Sequence, residues 1–268
     1  MDGGAVEREE KAGAQEPAAQ GGVSGVRDAE NGRVFYMWEP LKFQTKPGYD
    51  YLRNGLFQRL GSGLLRTVAD AILALFDRAA FGMKIEGREN LSALGKRGAV
   101  VVCNHVHPMD CTMVDLALFD RRIYYMTLEC NFRIPLVRHL VRWLGGVPLS
   151  PDRRCMKELF DAMGQAIDAG ACVQIYPEGV LRPYEKTLYP FKHGAFRLAA
   201  SCGAPVVPAV VVQRKPRGLY RLYKKKPCLT IRLLPPVFPE EGAVARQDAL
   251  RMAAVCREAM ERELSSER

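Results

Sequence analysis

No stretch of this chain approaches the roughly 20 consecutive apolar residues that a membrane-spanning helix requires. The nearest, residues 60–83, is interrupted by Arg66, Asp70, Asp77 and Arg78. The amino-terminal end is acidic and rich in Gly and Ala, without the apolar centre of a secretory signal. The 8 cysteines include no Cys-x-x-Cys pair. Zinc-ligand spacing and a disulfide framework are therefore not indicated, and a reducing, cytosolic compartment is expected. With only 4 histidines in the chain, no further His/Glu cluster completes a metal set around His105, His107 and Asp110, so no metal is expected. There is no Gly-x-Ser-x-Gly elbow to present a serine nucleophile. Acidic residues are missing from the whole of residues 186–239.

What is present is a basic chain of net charge +9, with 48% hydrophobic and 26% charged residues. Those proportions suit a globular protein whose core needs no cross-links. The positive charge implies an anionic partner. In residues 217–226, Arg217, Arg221, Lys224, Lys225 and Lys226 alternate with Leu219, Tyr220, Leu222 and Tyr223. Basic residues among aliphatic and aromatic ones fit anionic lipid headgroups, and equally a solvated loop. No zinc finger or RNP-like block accompanies them, so nucleic acid is not the expected partner.

Three regions follow. Residues 1–32, poor in large apolar side chains, are expected to be a disordered tail. Residues 33–84 form an amino-terminal helical and interfacial segment. Within it Leu56, Leu60, Leu64, Val68, Ile72, Leu75 and Ala79 recur at helical spacing over residues 51–81. That face suits either the bilayer interface or the core, and core packing is the commoner outcome. Residues 85–268 alternate apolar runs with helical patterns. Strands are expected at 99–103, 123–128, 172–176, 205–212 and 228–234, and helices at 113–118, 134–144, 155–169, 191–202 and 244–264. The fold class is α/β, with a mixed, mostly parallel central sheet flanked by helices.

Chemistry concentrates where the strand at 99–103 ends and Asn104, His105, His107 and Asp110 follow at once. Strand ends are where α/β folds place ligand sites. A carboxylate beside an imidazole accepts its N–H, sets the tautomer and frees the other nitrogen as a base. His107 is a rival base in the same loop. A second segment runs Tyr176-Pro-Glu-Gly-Val-Leu-Arg182, with Lys192 and His193 at the start of the next expected helix. Lys and Arg near a helix start make a reasonable anion cradle.

Together these segments resemble the glycerophospholipid acyltransferases typified by 1-acylglycerol-3-phosphate acyltransferase. The family's Asn-His-x4-Asp block is matched by Asn104, His105 and Asp110. Its Phe-Pro-Glu-Gly-Thr-Arg-Ser block is resembled by residues 176–182, and its Phe-Lys-x-Gly-Ala-Phe by residues 191–196. Residues 204–208 are similar to its apolar, proline-containing block, and residues 146–153 to its Gly…Asp-Arg block. The blocks fall in family order over residues 85–235. The resemblance implies His105 as base and Asp110 as its orienting partner. It implies Asn104, Glu178, Gly179, Arg182, Lys192 and Arg153 as substrate-binding residues, with backbone N–H groups near Gly179 as oxyanion donors. The co-substrate is then acyl-CoA or acyl carrier protein, with no cofactor, and the acceptor is a lysophospholipid at the cytoplasmic face of an anionic membrane. The family's Thr and Arg are Val180 and Leu181 here, which leaves another lyso-, amino- or glycolipid acceptor open. A non-catalytic lipid-binding protein on the same fold is the alternative.

Overall fold

The computed structural model describes residues 23–27, 34–38, 41–52 and 56–266. Much of the expected tail lies outside the described residues, but Val23–Arg27 (β1) within it pairs antiparallel with Val34–Trp38 (β2). Helix α1, Leu56–Phe81, leads into the short strand β3, Lys84–Glu86, and a 3-10 turn at Arg88–Leu94. There follow β4 (Ala99–Cys103), α2 (Asp110–Ala117), β5 (Ile123–Leu128), α3 (Val137–Trp143) and β6 (Gly146–Leu149). The chain continues through α4 (Arg153–Asp168), β7 (Cys172–Ile175), α5 (Gly194–Ser201) and β8 (Val206–Arg214). It closes with the single turn α6 (Tyr220–Tyr223), β9 (Cys228–Leu233) and α7 (Ala245–Ser266).

The main sheet has 7 strands in the order β3-β9-β8-β4-β7-β5-β6. Neighbours are parallel except β8 and β9, so β9 and β3 run against the rest. The mixed, mostly parallel sheet flanked by helices is the expected one. Two strands, β3 and β6, escape the sequence reading because they are short and lie at the two edges. Neither carries a long continuous apolar run. Strand β4, buried at every position, sits between β7 and β8. Its side chains alternate between the two faces. Val100 and Val102 join the core under α4, α5 and α7, with Phe196, Met163 and Met252. Ala99, Val101 and Cys103 join the core under α2, with Met113 and Val114 of that helix and Leu229, Ile231 and Leu233 of β9.

Helix α1 corrects one expectation. Among the described residues its apolar stripe does not enter the core: Val68, Ile72 and Leu75 are 51%, 63% and 72% exposed. The side chains of Leu56, Leu60 and Leu64 lie outside the described residues. The face turned to the domain is polar. Arg66 reaches Asp115 of α2 at 2.6 Å and the Arg121 carbonyl at 2.6 Å, with Asp70 at 3.5 Å. Asp77, fully buried, accepts from the Thr112 hydroxyl at 2.8 Å. Charged partners on α2 therefore decide which side faces in, and the apolar side is left outward. The carboxyl-terminal carbonyls of α1 are met by the basic segment. Tyr220 and Tyr223 hydroxyls donate to the carbonyls of Arg78 and Ala79, Lys224 Nζ to Ala80, and Arg214 to Gly82. Cations at that end also suit the helix dipole. Downstream of β2, the 41–47 segment packs on the domain: Phe43 stacks on Phe132 at 5.1 Å, and Glu129 accepts from the Thr45 N–H at 2.9 Å.

Burial pushes the Asp77 carboxyl from 3.8 up to about 6, against the Thr112 hydroxyl, which pulls it down. Across that window the folded chain holds a proton that the unfolded chain has released, so stability falls as pH rises through it. Asp77→Asn is expected to add on the order of 1–2 kcal/mol at pH 7 and nothing below about pH 4. Urea midpoints at the two pH values check this; equal effects at both would show a normally titrating carboxyl.

Candidate active site

The site lies at the carboxyl-terminal ends of β4 and β7, where the two motif segments meet. Chain leaving β4 is first tied to its neighbour. Asn104, 2% exposed, donates from Nδ2 to the Val211 carbonyl at 3.1 Å, and its Oδ1 accepts from the Val211 N–H at 2.7 Å. This corrects its expected substrate role: both ends of the buried amide are committed to β8.

His105 and Asp110 come together as the spacing suggests. His105 Nδ1 is 3.1 Å from Asp110 Oδ2, and the N–H groups of Val106 and His107 donate to the same oxygen at 2.7 and 2.8 Å. Asp110 is fully buried as the first residue of α2, while the His105 side chain keeps 21% exposure. The carboxylate can accept but not donate, so Nδ1 carries the proton and Nε2 is left as the basic nitrogen. Tyr176 stacks on the imidazole, ring centroids 3.9 Å apart and planes 14° from parallel. Sequence reasoning missed this support, although Tyr176 stands at the head of the second motif.

His107 is not a second base of this kind. Its Nδ1 accepts from the Met109 N–H at 3.1 Å, so backbone rather than a carboxylate orients the ring. The neighbouring thiols are no nucleophiles at neutral pH: burial pushes Cys111 up to about 12 and Cys103 well above its usual value. Among the described residues, no group of three or more His, Cys, Asp or Glu is arranged to hold a metal.

The segment after β7 lies over the segment after β4. The N–H groups of Arg182 and Tyr184 donate to the carbonyls of His105 and Val106 at 2.8 and 3.0 Å. Glu178 is buried, accepting from the backbone N–H groups of Tyr189 and His105. Burial raises its carboxyl, and those two N–H groups lower it. The expected substrate ligand is thus a buried brace for the loop. Gly179 has φ 69°, which favours glycine, and a Cβ there would come within 2.7 Å of Lys192 Nζ and push that side chain aside. The Gly179 N–H donates to the Tyr176 carbonyl at 3.1 Å, so the turn itself uses this expected oxyanion donor. Arg182 stacks on Tyr189, its guanidinium carbon 3.2 Å from the ring centroid. Arg153 is a further correction. It is exposed at the start of α4, which follows the edge strand β6, three strands from β4. At the usual inter-strand spacing that is about 14 Å away. Its block instead supplies the helix cap, Asp152 Oδ1 accepting from the Cys155 N–H at 2.9 Å.

A model of the Acyltransferase family matches residues 82–212, which hold both motif segments. Those residues are therefore similar to an acyltransferase domain. Similar proteins include the chloroplastic 1-acyl-sn-glycerol-3-phosphate acyltransferase BAT2 of Brassica napus, 32% identical over 48% of this chain and 36% of that one. The 1-acyl-sn-glycerol-3-phosphate acyltransferase of Escherichia coli K12 is 25% identical over 71% of this chain and 78% of its own. Against the first of the relatives, from plants and human, the chain spans only 36 to 47% of their length. The crystal structure of the 1-acyl-sn-glycerophosphate acyltransferase PlsC of Thermotoga maritima shares the acyltransferase fold. Its TM-score is 0.55 at 23% identity, covering 78% of this chain and 86% of that one.

If Asn104 is a clamp, Asn104→Ala strands the Val211 N–H and carbonyl in a buried strand. The expected cost is about 1–3 kcal/mol of stability, with the KM for any acceptor unchanged below the unfolding transition. Thermal unfolding beside steady-state kinetics decides it; a raised KM at full stability would restore the substrate role.

Proposed function

We propose that the chain transfers a fatty acyl group from acyl-CoA or acyl carrier protein to the hydroxyl of a lysophospholipid, 1-acyl-sn-glycerol 3-phosphate, in phospholipid biosynthesis. The observation that carries the proposal is the geometry of His105, whose Nδ1 is held by buried Asp110 while Nε2 is left at the open end of the sheet. In the first step Nε2 takes the acceptor hydroxyl's proton as the oxygen attacks the thioester carbonyl carbon. The tetrahedral intermediate then expels the thiolate, which recovers the proton from Nε2–H. An ester and a free thiol result, with no acyl-enzyme. Lys192, folded across Gly179 on the α5 side, and Arg182 supply positive charge for the polar end of a substrate.

The same proposal seats the protein peripherally on the cytoplasmic face of a membrane. Among the described residues no helix is long and apolar enough to cross one. In support, α1 turns Val68, Ile72, Leu75 and Phe76 outward, and the segment bonded to its end exposes Leu219 and Leu222 among Arg217, Arg221 and Lys225. An apolar face beside cations suits the interface of an anionic bilayer. The active-site loop adjoins that surface, for the ring of Phe81, the last residue of α1, lies 4.5 Å from the His107 ring.

His105→Ala is expected to lower transfer by on the order of 10²–10⁴-fold or more while leaving the unfolding midpoint in place. The assay is product mass spectrometry with long-chain acyl-CoA or acyl carrier protein and a panel of lyso-lipids. Full activity in the variant would sink the mechanism, and release of free fatty acid alone would make the protein a thioesterase. Separately, the full chain should float with anionic liposomes and not with neutral ones, and the double variant Ile72→Ser, Leu75→Ser should stay at the bottom of the gradient. Flotation of that variant at wild-type level would remove α1 from the membrane contact.

A further inference from the structure

His107 is left without a task by the mechanism. It is the second residue after His105, and its own N–H is one of the donors to Asp110, so its ring is fixed in the same frame as the base. The Met109 N–H occupies Nδ1. A neutral ring in that position carries its proton on Nε2 and offers a single donor. Burial, assisted by the neighbouring charges of Lys226, Lys224 and His105, lowers its pKa, while Asp110 acts the other way; the ring is therefore neutral at pH 7.

The walls around it are specific. The Phe81 ring lies 4.5 Å away on one side, and Tyr184 meets it edge-on at 5.9 Å. Tyr184 sits at φ 59°, a left-handed conformation costly for a tyrosine. Two bonds hold it there: its N–H donates to the Val106 carbonyl at 3.0 Å, and its carbonyl accepts from Gln213 at 2.7 Å. Lys226 Nζ stands 5.2 Å from the centre of the Tyr184 ring, and Lys226 is exposed. Lys224 is anchored on the end of α1 nearby. The carboxylate that acts on His107, Asp110, already receives three N–H groups on one oxygen. A neutral N–H donor, two aromatic rings and an ammonium group are thus neighbours around His107 and Tyr184.

We propose that His107, Tyr184 and Lys226 form the recess that takes the phosphate of the acceptor and so brings its hydroxyl to His105 Nε2. This deepens the acyltransferase proposal and rests on it. A phosphate monoester presents several strong acceptor oxygens and up to two negative charges; one oxygen meets the His107 N–H and another the Lys226 ammonium. In a glycerophosphate the free hydroxyl and the phosphate are joined by a short carbon bridge, and His105 and His107 lie in one loop, both tied to Asp110. Lys226 brings its ammonium group to Tyr184 from a segment distant in sequence.

The test is kinetic and compares three variants, His107→Ala, His107→Gln and Lys226→Met, in the full chain with anionic vesicles present. The expected result is a KM for lysophosphatidate raised about tenfold in His107→Ala and Lys226→Met, as loss of one charge-assisted hydrogen bond implies. The KM for acyl-CoA and the kcat should stay within about threefold, and the amide donor of His107→Gln should recover part of the loss. An unchanged acceptor KM overturns the recess, and so does a rise confined to acyl-CoA, which would assign these residues to the phosphates of the donor. If wild type transfers nothing, the acyltransferase proposal fails by itself. The recess is then read by titrating glycerol 3-phosphate into the full chain and following the His107 imidazole resonances. Saturable shifts in wild type that are lost in Lys226→Met support the phosphate site, and their absence in wild type overturns it.

Discussion

A single buried carboxylate oxygen holds the working end of this protein together. Asp110 Oδ2 receives the ring N–H of His105 and the backbone N–H groups of Val106 and His107. A buried loop must find partners for its own polar groups, and this one finds them in the side chain that also holds His105 Nδ1. The second motif segment is then laid on the first, through N–H groups donated to the carbonyls of His105 and Val106. The geometry at Nε2 is thus an outcome of backbone pairing. Glu178 and Asn104 brace the same arrangement, each through backbone partners.

The amino-terminal helix reverses the usual arrangement of a surface helix. Its inner face carries Arg66, Asp70 and Asp77, and its outer face Val68, Ile72 and Leu75. A buried charge cluster is weak support for stability, but it is selective about its partners. Burial raises the Asp115 carboxyl to about 7, with Arg66 opposing that effect and Asp70 adding to it. The cluster therefore sets how α1 sits on α2 more than it stabilises the fold. The apolar face left outward lies beside a cationic segment, and the helix ends with Phe81 against the His107 ring.

How much was legible in the sequence follows burial. Ala99–Cys103 and Ile123–Leu128 are strands with the bounds their apolar runs suggest, because strands inside a parallel sheet are covered on both faces. Lys84–Glu86 and Gly146–Leu149 are short edge strands and carry no such run. In the site, the pairing of His105 with Asp110 was readable because both lie in one loop. Asn104 and Glu178 stand in the same motifs, yet their duties are set by partners such as Val211, 107 residues from Asn104. Arg153 reads as a site residue in a linear block, but strand order carries it to the far edge of the sheet.

The sequence by itself determined the α/β class, the position of the candidate site at the end of β4, and the pairing of His105 with Asp110. Each of these rests on residues close together in the chain, where spacing is geometry. Only the tertiary structure decided which face of α1 meets the domain, that Asn104 and Glu178 bind backbone, and that His107 stands among Phe81, Tyr184 and Lys226. A helical period says that an apolar face exists and not what it meets. That choice is made by contacts between distant segments, here by Arg66 finding Asp115.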